Sequence, residues 1–278
     1  MRYPVHRSVF FLGAFICLVV LTSLMHRTVN AQSANCALGT LPPGTIPDDL
    51  RRCQYLPIIH NPSLAIFDAI PIMGAATELT AAEHPDLNLG VRGYISTTAT
   101  LALIDVAGPT DIDAPQLDGL FAPPRLPAFT DVYQVYDWDW SCGGIGCRGA
   151  PIGQPPVTLL GMSVSPGEAI HIPTRQPDIF TGAYKALVLY AETERITLAY
   201  TREDTAALGY LVHIENVRVD PNLLALYQAL NAADRAQLPA LRNGERLGDA
   251  LDGPLLVAVR DTGSFLDPRS RKDWWMEY

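Results

Sequence analysis

Short apolar runs bounded by turn residues fill most of the chain, and they predict strands far more often than helices. In the stretch 91–106, Tyr94-Ile95-Ser96-Thr97-Thr98 leads into Leu101-Ala102-Leu103-Ile104, where β-branched and apolar residues predict a strand. Pro115, Pro123, Pro124 and Pro127 follow and exclude a central strand or a long helix, so a boundary or a surface crossing is expected there. Beyond it the pattern is mostly β. Residues 132–140 alternate in type and are aromatic. Residues 157–164 and 168–172 are apolar runs separated by Ser165-Pro166-Gly167. Residues 184–192 and 195–201 read as a hairpin turning near Glu192-Thr193-Glu194, and 209–219 and 255–259 as further strands. The stretch 238–248 reads as irregular and glycine-punctuated. One segment is helical: Asp220 caps it, Pro221 takes the first position, and Leu223, Leu226, Tyr227 and Leu230 form one apolar stripe.

These elements predict a mainly β protein, a β-sandwich or open barrel with one short helix at about 221–231 and a loop-rich N-terminal part. The organisation expected is a signal peptide over 1–31, a loop-rich β region over 32–128 and a β-rich domain over 129–278. Arg2, His6 and Arg7 precede an apolar run from Val9 to Met25, and Val29-Asn30-Ala31 supplies the small residues a signal peptidase needs. Cleavage before Gln32 is the reading adopted; an uncleaved anchor helix is its rival. Export to the cell envelope or medium follows. No later segment is long and apolar enough to span a membrane as a helix, so no membrane association is expected after cleavage.

Composition narrows the partners. The 278 residues are 48% apolar with a net charge of −9, and losing Arg2, Arg7 and Arg27 with the signal lowers this to −12. An acidic protein lacks the basic footprint that nucleic acid requires, so no nucleic-acid partner is expected. Cleavage also removes Cys17 and leaves Cys36, Cys53, Cys142 and Cys147, an even set that reads as two disulfides in an exported chain. Local pairing, Cys36–Cys53 and Cys142–Cys147, is the simplest of the three connectivities. The three glycines between Cys142 and Cys147 suit a tight closed turn. A four-thiolate zinc site is the alternative, without the C-x-x-C knuckle it usually shows.

Candidate chemistry is sparse. No G-x-S-x-G elbow occurs, so no serine nucleophile is marked. Asp137-Trp138-Asp139-Trp140 starts like a calcium loop, but Cys142 and Arg148 stand where glycine and glutamate belong. Its other reading is a glycan or glycopeptide site: flat rings stack on sugars and carboxylates accept hydroxyl hydrogen bonds. On a regular strand Trp138 and Trp140 share one face and Asp137 and Asp139 the other. The competing expectation puts both tryptophans in the core. His171 and His213 lie on predicted strands, and His213 shares a face with Glu215. With neighbouring strands these three could bind zinc, the one cofactor alternative to none. Trp274 and Trp275 are expected to dock the C-terminal tail while Arg269, Arg271 and Lys272 face water.

The order of motifs in the last 120 or so residues resembles the lysostaphin-like (LytM-type) zinc endopeptidases, which cut peptidoglycan cross-bridges. The matching stretches are Gly209-Tyr210-Leu211-Val212-His213-Ile214-Glu215-Asn216, then Leu226-Tyr227-Gln228-Ala229-Leu230, then Gly244-Glu245-Arg246-Leu247-Gly248, the 255–259 strand and Asp267-Pro268. Asn216 and Ala229 stand where that family has histidines, and 255–259 carries no H-x-H. Catalytic zinc needs three protein ligands and an open position. The resemblance therefore implies a barrel-like fold without the metal centre: a secreted, non-catalytic cell-envelope module that binds glycan, peptide or an envelope protein. The alternative is a metal-dependent hydrolase, peptidoglycan endopeptidase-like, with an atypical ligand set around His171 and His213. A purely structural surface protein is a third class.

Overall fold

A computed structural model describes residues 66–74 and 79–278. The expected signal peptide, Cys36 and Cys53 lie outside the described residues. The described residues belong to one unit, His60–Tyr278. In chain order its strands are β1 (Asp68–Pro71), β2 (Tyr94–Ser96), β3 (Phe129–Asp139), β4 (Cys147–Pro151), β5 (Leu159–Met162), β6 (Ala169–His171) and β7 (Tyr184–Glu192). They continue with β8 (Arg195–Ala199), β9 (Tyr210–Glu215), β10 (Val217–Val219), β11 (Gln237–Arg242), β12 (Arg246–Ala250), β13 (Leu255–Asp261) and β14 (Ser264–Leu266). The helices are α1 (Leu89–Arg92), α2 (Pro221–Ala232) and α3 (Arg271–Trp274), with a 3-10 turn at Leu117–Leu120.

Eleven strands form one antiparallel sheet in the order β1-β11-β7-β8-β9-β13-β5-β3-β2, with β14 on β13 and β4 on β3. The path ends at β1 and β2, so the sheet is open. A second sheet runs β10-β12-β6. The protein is thus mainly β, and α2 is the one helix longer than a single turn among the described residues. Asp220 accepts a hydrogen bond from Asn222 N–H, Pro221 opens the helix, and Leu223 and Tyr227 face the core.

The strand periodicity explains two separate apolar clusters. Along β13, Leu255, Val257 and Val259 enter the main core, whereas Leu256 and Ala258 enter a smaller cluster with Leu89, Val135, Leu159 and Phe265. A strand covered on both faces reads as an unbroken apolar run. Val217, Val219, Ile170 and Leu247 of the small sheet, with Leu223 and Tyr227 of α2, share the main core. The other face carries a polar stripe across β8, β9 and β13. Register places Thr197 opposite His213 and His213 opposite Ala258. The segment leading into α1 covers this stripe. Thr197 Oγ1 donates to Leu87 O at 2.6 Å, and Arg195 donates to Asn88 Oδ1 at 3.3 Å. A buried hydroxyl must find an acceptor, and the backbone of this segment supplies it.

Three expectations change. The strand anticipated over 91–106 shrinks to Tyr94–Ser96. Asn88 caps a helical turn, Gly93 ends it at φ 70°, and Ile104 makes only an isolated bridge with Ser270. The stretch 238–248 is not irregular: it contributes β11 and β12, joined through Asn243-Gly244 with Gly244 at φ 79°. Strands from either side of the proline-rich stretch share the large sheet, β2 pairing with β3 and β1 with β11. The tail docks as anticipated. Trp274 and Trp275 are fully buried, and their Nε1 groups donate to Asp267 O and Pro268 O, each at 2.9 Å. Arg269 is buried as well, its guanidinium held by Asp267 at 2.8–2.9 Å instead of facing water.

Candidate functional site

The end of β3 builds one wall of a cleft of about 370 Å³. Its pairing with β4 shifts register between Tyr136 and Trp138. A bulge of this kind re-aims side chains, and here the consecutive residues Asp137 and Trp138 both line the cleft. Trp138 N–H donates to Asp137 Oδ1 at 2.8 Å. The Trp138 ring is half-buried against the loop closed by the Cys142–Cys147 disulfide, whose Cα atoms lie 5.5 Å apart. Its Nε1 donates to Ile145 O at 3.1 Å. Gly146, at φ 85°, passes beneath the indole, where any Cβ would collide with it. Trp140 is 51% exposed and stands edge-on to Trp138, with ring centroids 6.4 Å apart.

His84 faces Trp140 across the cleft with ring centroids 5.7 Å apart. Its Nδ1 accepts Asp86 N–H at 3.1 Å. Burial lowers the pKa of His84, so the ring is neutral at pH 7 with its proton assigned to Nε2. Beneath it, Asp86 binds two arginines. Arg92 Nη2 lies 2.5 Å from Asp86 Oδ1 and Arg260 Nη1 2.9 Å from the same oxygen. Both guanidiniums pack on the Phe265 ring, at 5.5 Å and 4.6 Å from its centroid. Burial opposes the Asp86 charge, yet Arg260 and Arg92 outweigh it and hold the carboxyl below its ordinary range. Arg92 also lies 3.7 Å from Asp137. Residues 205–207 and the β13–β14 turn at Thr262 and Gly263 complete the rim. A smaller hollow of 190 Å³ near Gln116, Asp118 and Arg175 has no aromatic lining.

Of the four residues expected to form a ligand site, Asp137, Trp138 and Trp140 line this cleft. Asp139 does not. Its Oδ1 accepts Ser141 Oγ at 2.6 Å and Ser141 N–H at 2.9 Å, bonds that lower its pKa and close the turn. The tryptophans buried in the core are Trp274 and Trp275.

His171, His213 and Glu215 are not brought together. His171 lies in β6 of the small sheet, and the other two lie in β9 of the large one. Burial pushes His213 down to about 3, with the Arg260 charge acting in the same direction, and its Nδ1 sits 3.0 Å from Thr197 Oγ1. Burial pushes Glu215 up to about 7, although Arg195 Nε donates to it at 2.9 Å. Among the described residues, no group of three or more His, Cys, Asp or Glu side chains is placed to hold a metal ion. Asn216 stands at a turn with φ 63°, its Nδ2 donating to Asp252 O and Pro254 O, and Ala229 lies on the exposed side of α2.

Sequence reasoning passed over His84, Asp86, Arg92 and Arg260. One signal existed for Arg260. It follows five apolar residues from Leu255, and an arginine continuing a buried strand requires an acceptor brought from elsewhere. No family model matches the chain, and no curated protein or solved structure matches it.

Proposed function

We propose that this protein is an exported, non-catalytic module of the cell envelope that binds glycan in the cleft beneath Trp138 and Trp140. One observation carries the reading: Trp140 is half-exposed beside Trp138, at the mouth of a cleft that also presents Asp137 and the neutral ring of His84. A flat aromatic face takes the apolar C–H face of a sugar, and a carboxylate and an imidazole N–H engage its hydroxyls. Support for export comes from the basic residues, apolar run and small residues preceding Gln32. Support for a non-catalytic role comes from Asn216 and Ala229 at the positions where the resembling peptidases carry histidine.

The test is retention on insoluble peptidoglycan and on a printed glycan array, with Trp140→Ala alongside. Binding is expected, and the variant should lose about tenfold in affinity, or ~1.4 kcal/mol. No retention of the intact protein, or equal retention of the variant, overturns the proposal.

A further inference from the structure

The hydrogen-bond ledger of the cleft goes beyond "glycan" to a class of glycan. The two arginines that line it have few donors left. Arg92 Nε donates to Pro85 O at 3.1 Å, Nη1 to Tyr136 O at 3.1 Å and Nη2 to Asp86. Arg260 Nη1 donates to Asp86 O and Oδ1, and Nη2 to Gly263 O at 2.5 Å. Arg260 Nε has no partner, but it is sealed from solvent and cannot meet a ligand. Each guanidinium thus gives three of its five N–H groups to the protein's own acceptors, the Arg92 and Arg260 side chains are only 5% and 2% exposed, and their charges face Asp86 and Asp137.

The groups still open to a ligand are of a different kind. The Asp137 side chain is 71% exposed, and a carboxylate has more acceptor sites than the one Trp138 N–H fills. His84 offers a neutral N–H, since its Nδ1 is occupied. Thr205 Oγ1 accepts Ala207 N–H and keeps its own proton to donate. Trp140 offers an uncharged ring. This set suits a molecule with many hydroxyls that both donate and accept. A carboxylated sugar would bring its anion beside Asp137, and the cations among the lining residues, Arg92 and Arg260, already face carboxylates.

We propose that the cleft selects neutral, hydroxyl-rich oligosaccharides and rejects those bearing carboxylates. The inference rests on the glycan-binding reading above, and the two fail differently. The full-length protein is applied at low salt to an array of neutral and uronate-containing oligosaccharides of matched length. Neutral ligands should be retained at least about tenfold better than their uronate counterparts, and the gap should narrow as salt screens the repulsion. Asp137→Asn should shrink the ratio of neutral to acidic retention to within about threefold. Equal or better retention of the acidic ligands, or an unchanged ratio in Asp137→Asn, overturns this inference and leaves glycan binding standing. Retention of neither class overturns both.

Discussion

Replacing Asp86 by asparagine tests the arrangement that holds the cleft together. The carboxylate faces two guanidiniums at 2.5 Å and 2.9 Å. The Arg92 and Arg260 side chains are 5% and 2% exposed, and that of Asp86 15%. At this depth solvent screens little, and removing the shared anion leaves two like charges buried around Phe265. Breaking a buried ion pair from one side typically costs ~3–5 kcal/mol. In a unit of this size each kcal/mol lowers Tm by ~2–4 °C, so Asp86→Asn should lower it by about 6–20 °C. The pH dependence carries a second signature. Because the folded pKa of Asp86 lies below its ordinary value, its contribution is complete above the unfolded value near 3.8 and is lost as pH falls through the folded one. Urea unfolding across the acid range should show wild type and variant converging below about pH 4. A loss under about 1 kcal/mol at neutral pH, or a gap that persists undiminished into acid, would refute the idea that the Asp86 carboxylate holds the two arginines in place.

Three further outcomes follow from local features. The folded pKa of His213 is depressed to about 3 against 6.5 in the unfolded chain, so wild-type stability should fall as pH drops from 6.5 toward 3. His213→Leu should flatten that part of the urea-derived profile, and an unchanged slope would count against a buried neutral imidazole. The double substitution Cys142→Ser, Cys147→Ser should leave the far-ultraviolet circular dichroism intact while weakening glycan retention. The loop that anchors Trp138 Nε1 would then be free to move, and undiminished retention contradicts that role. Asp220→Ala removes the cap of α2 and should cost ~1 kcal/mol in chemical unfolding; a change of no more than a few tenths would show that the cap is dispensable.

What the chain alone determined was local. Asp220 and Pro221 mark the start of α2 because a cap and a fixed φ act within one turn, and the helix begins there. The glycines between Cys142 and Cys147 allow the short closed loop for the same reason. Apolar alternation announced most strands after Phe129, although it could not separate a strand from an apolar run without a partner, as at 101–104. The cleft was decided elsewhere. Asp86 and Arg260 are 174 positions apart, and no spacing rule links them. They meet because β13 lies in the middle of the large sheet and the segment before α1 crosses its polar face. The fate of the tryptophans was settled in the same way. Trp138 near the end of β3 and Trp140 in the turn after it lie close to the sheet edge and border the cleft, while Trp274 and Trp275 have room in the core, where burial of their rings and two backbone acceptors secure them. Burial depends on which surfaces the strand order leaves uncovered, a property of the assembled sheet that no window of sequence contains.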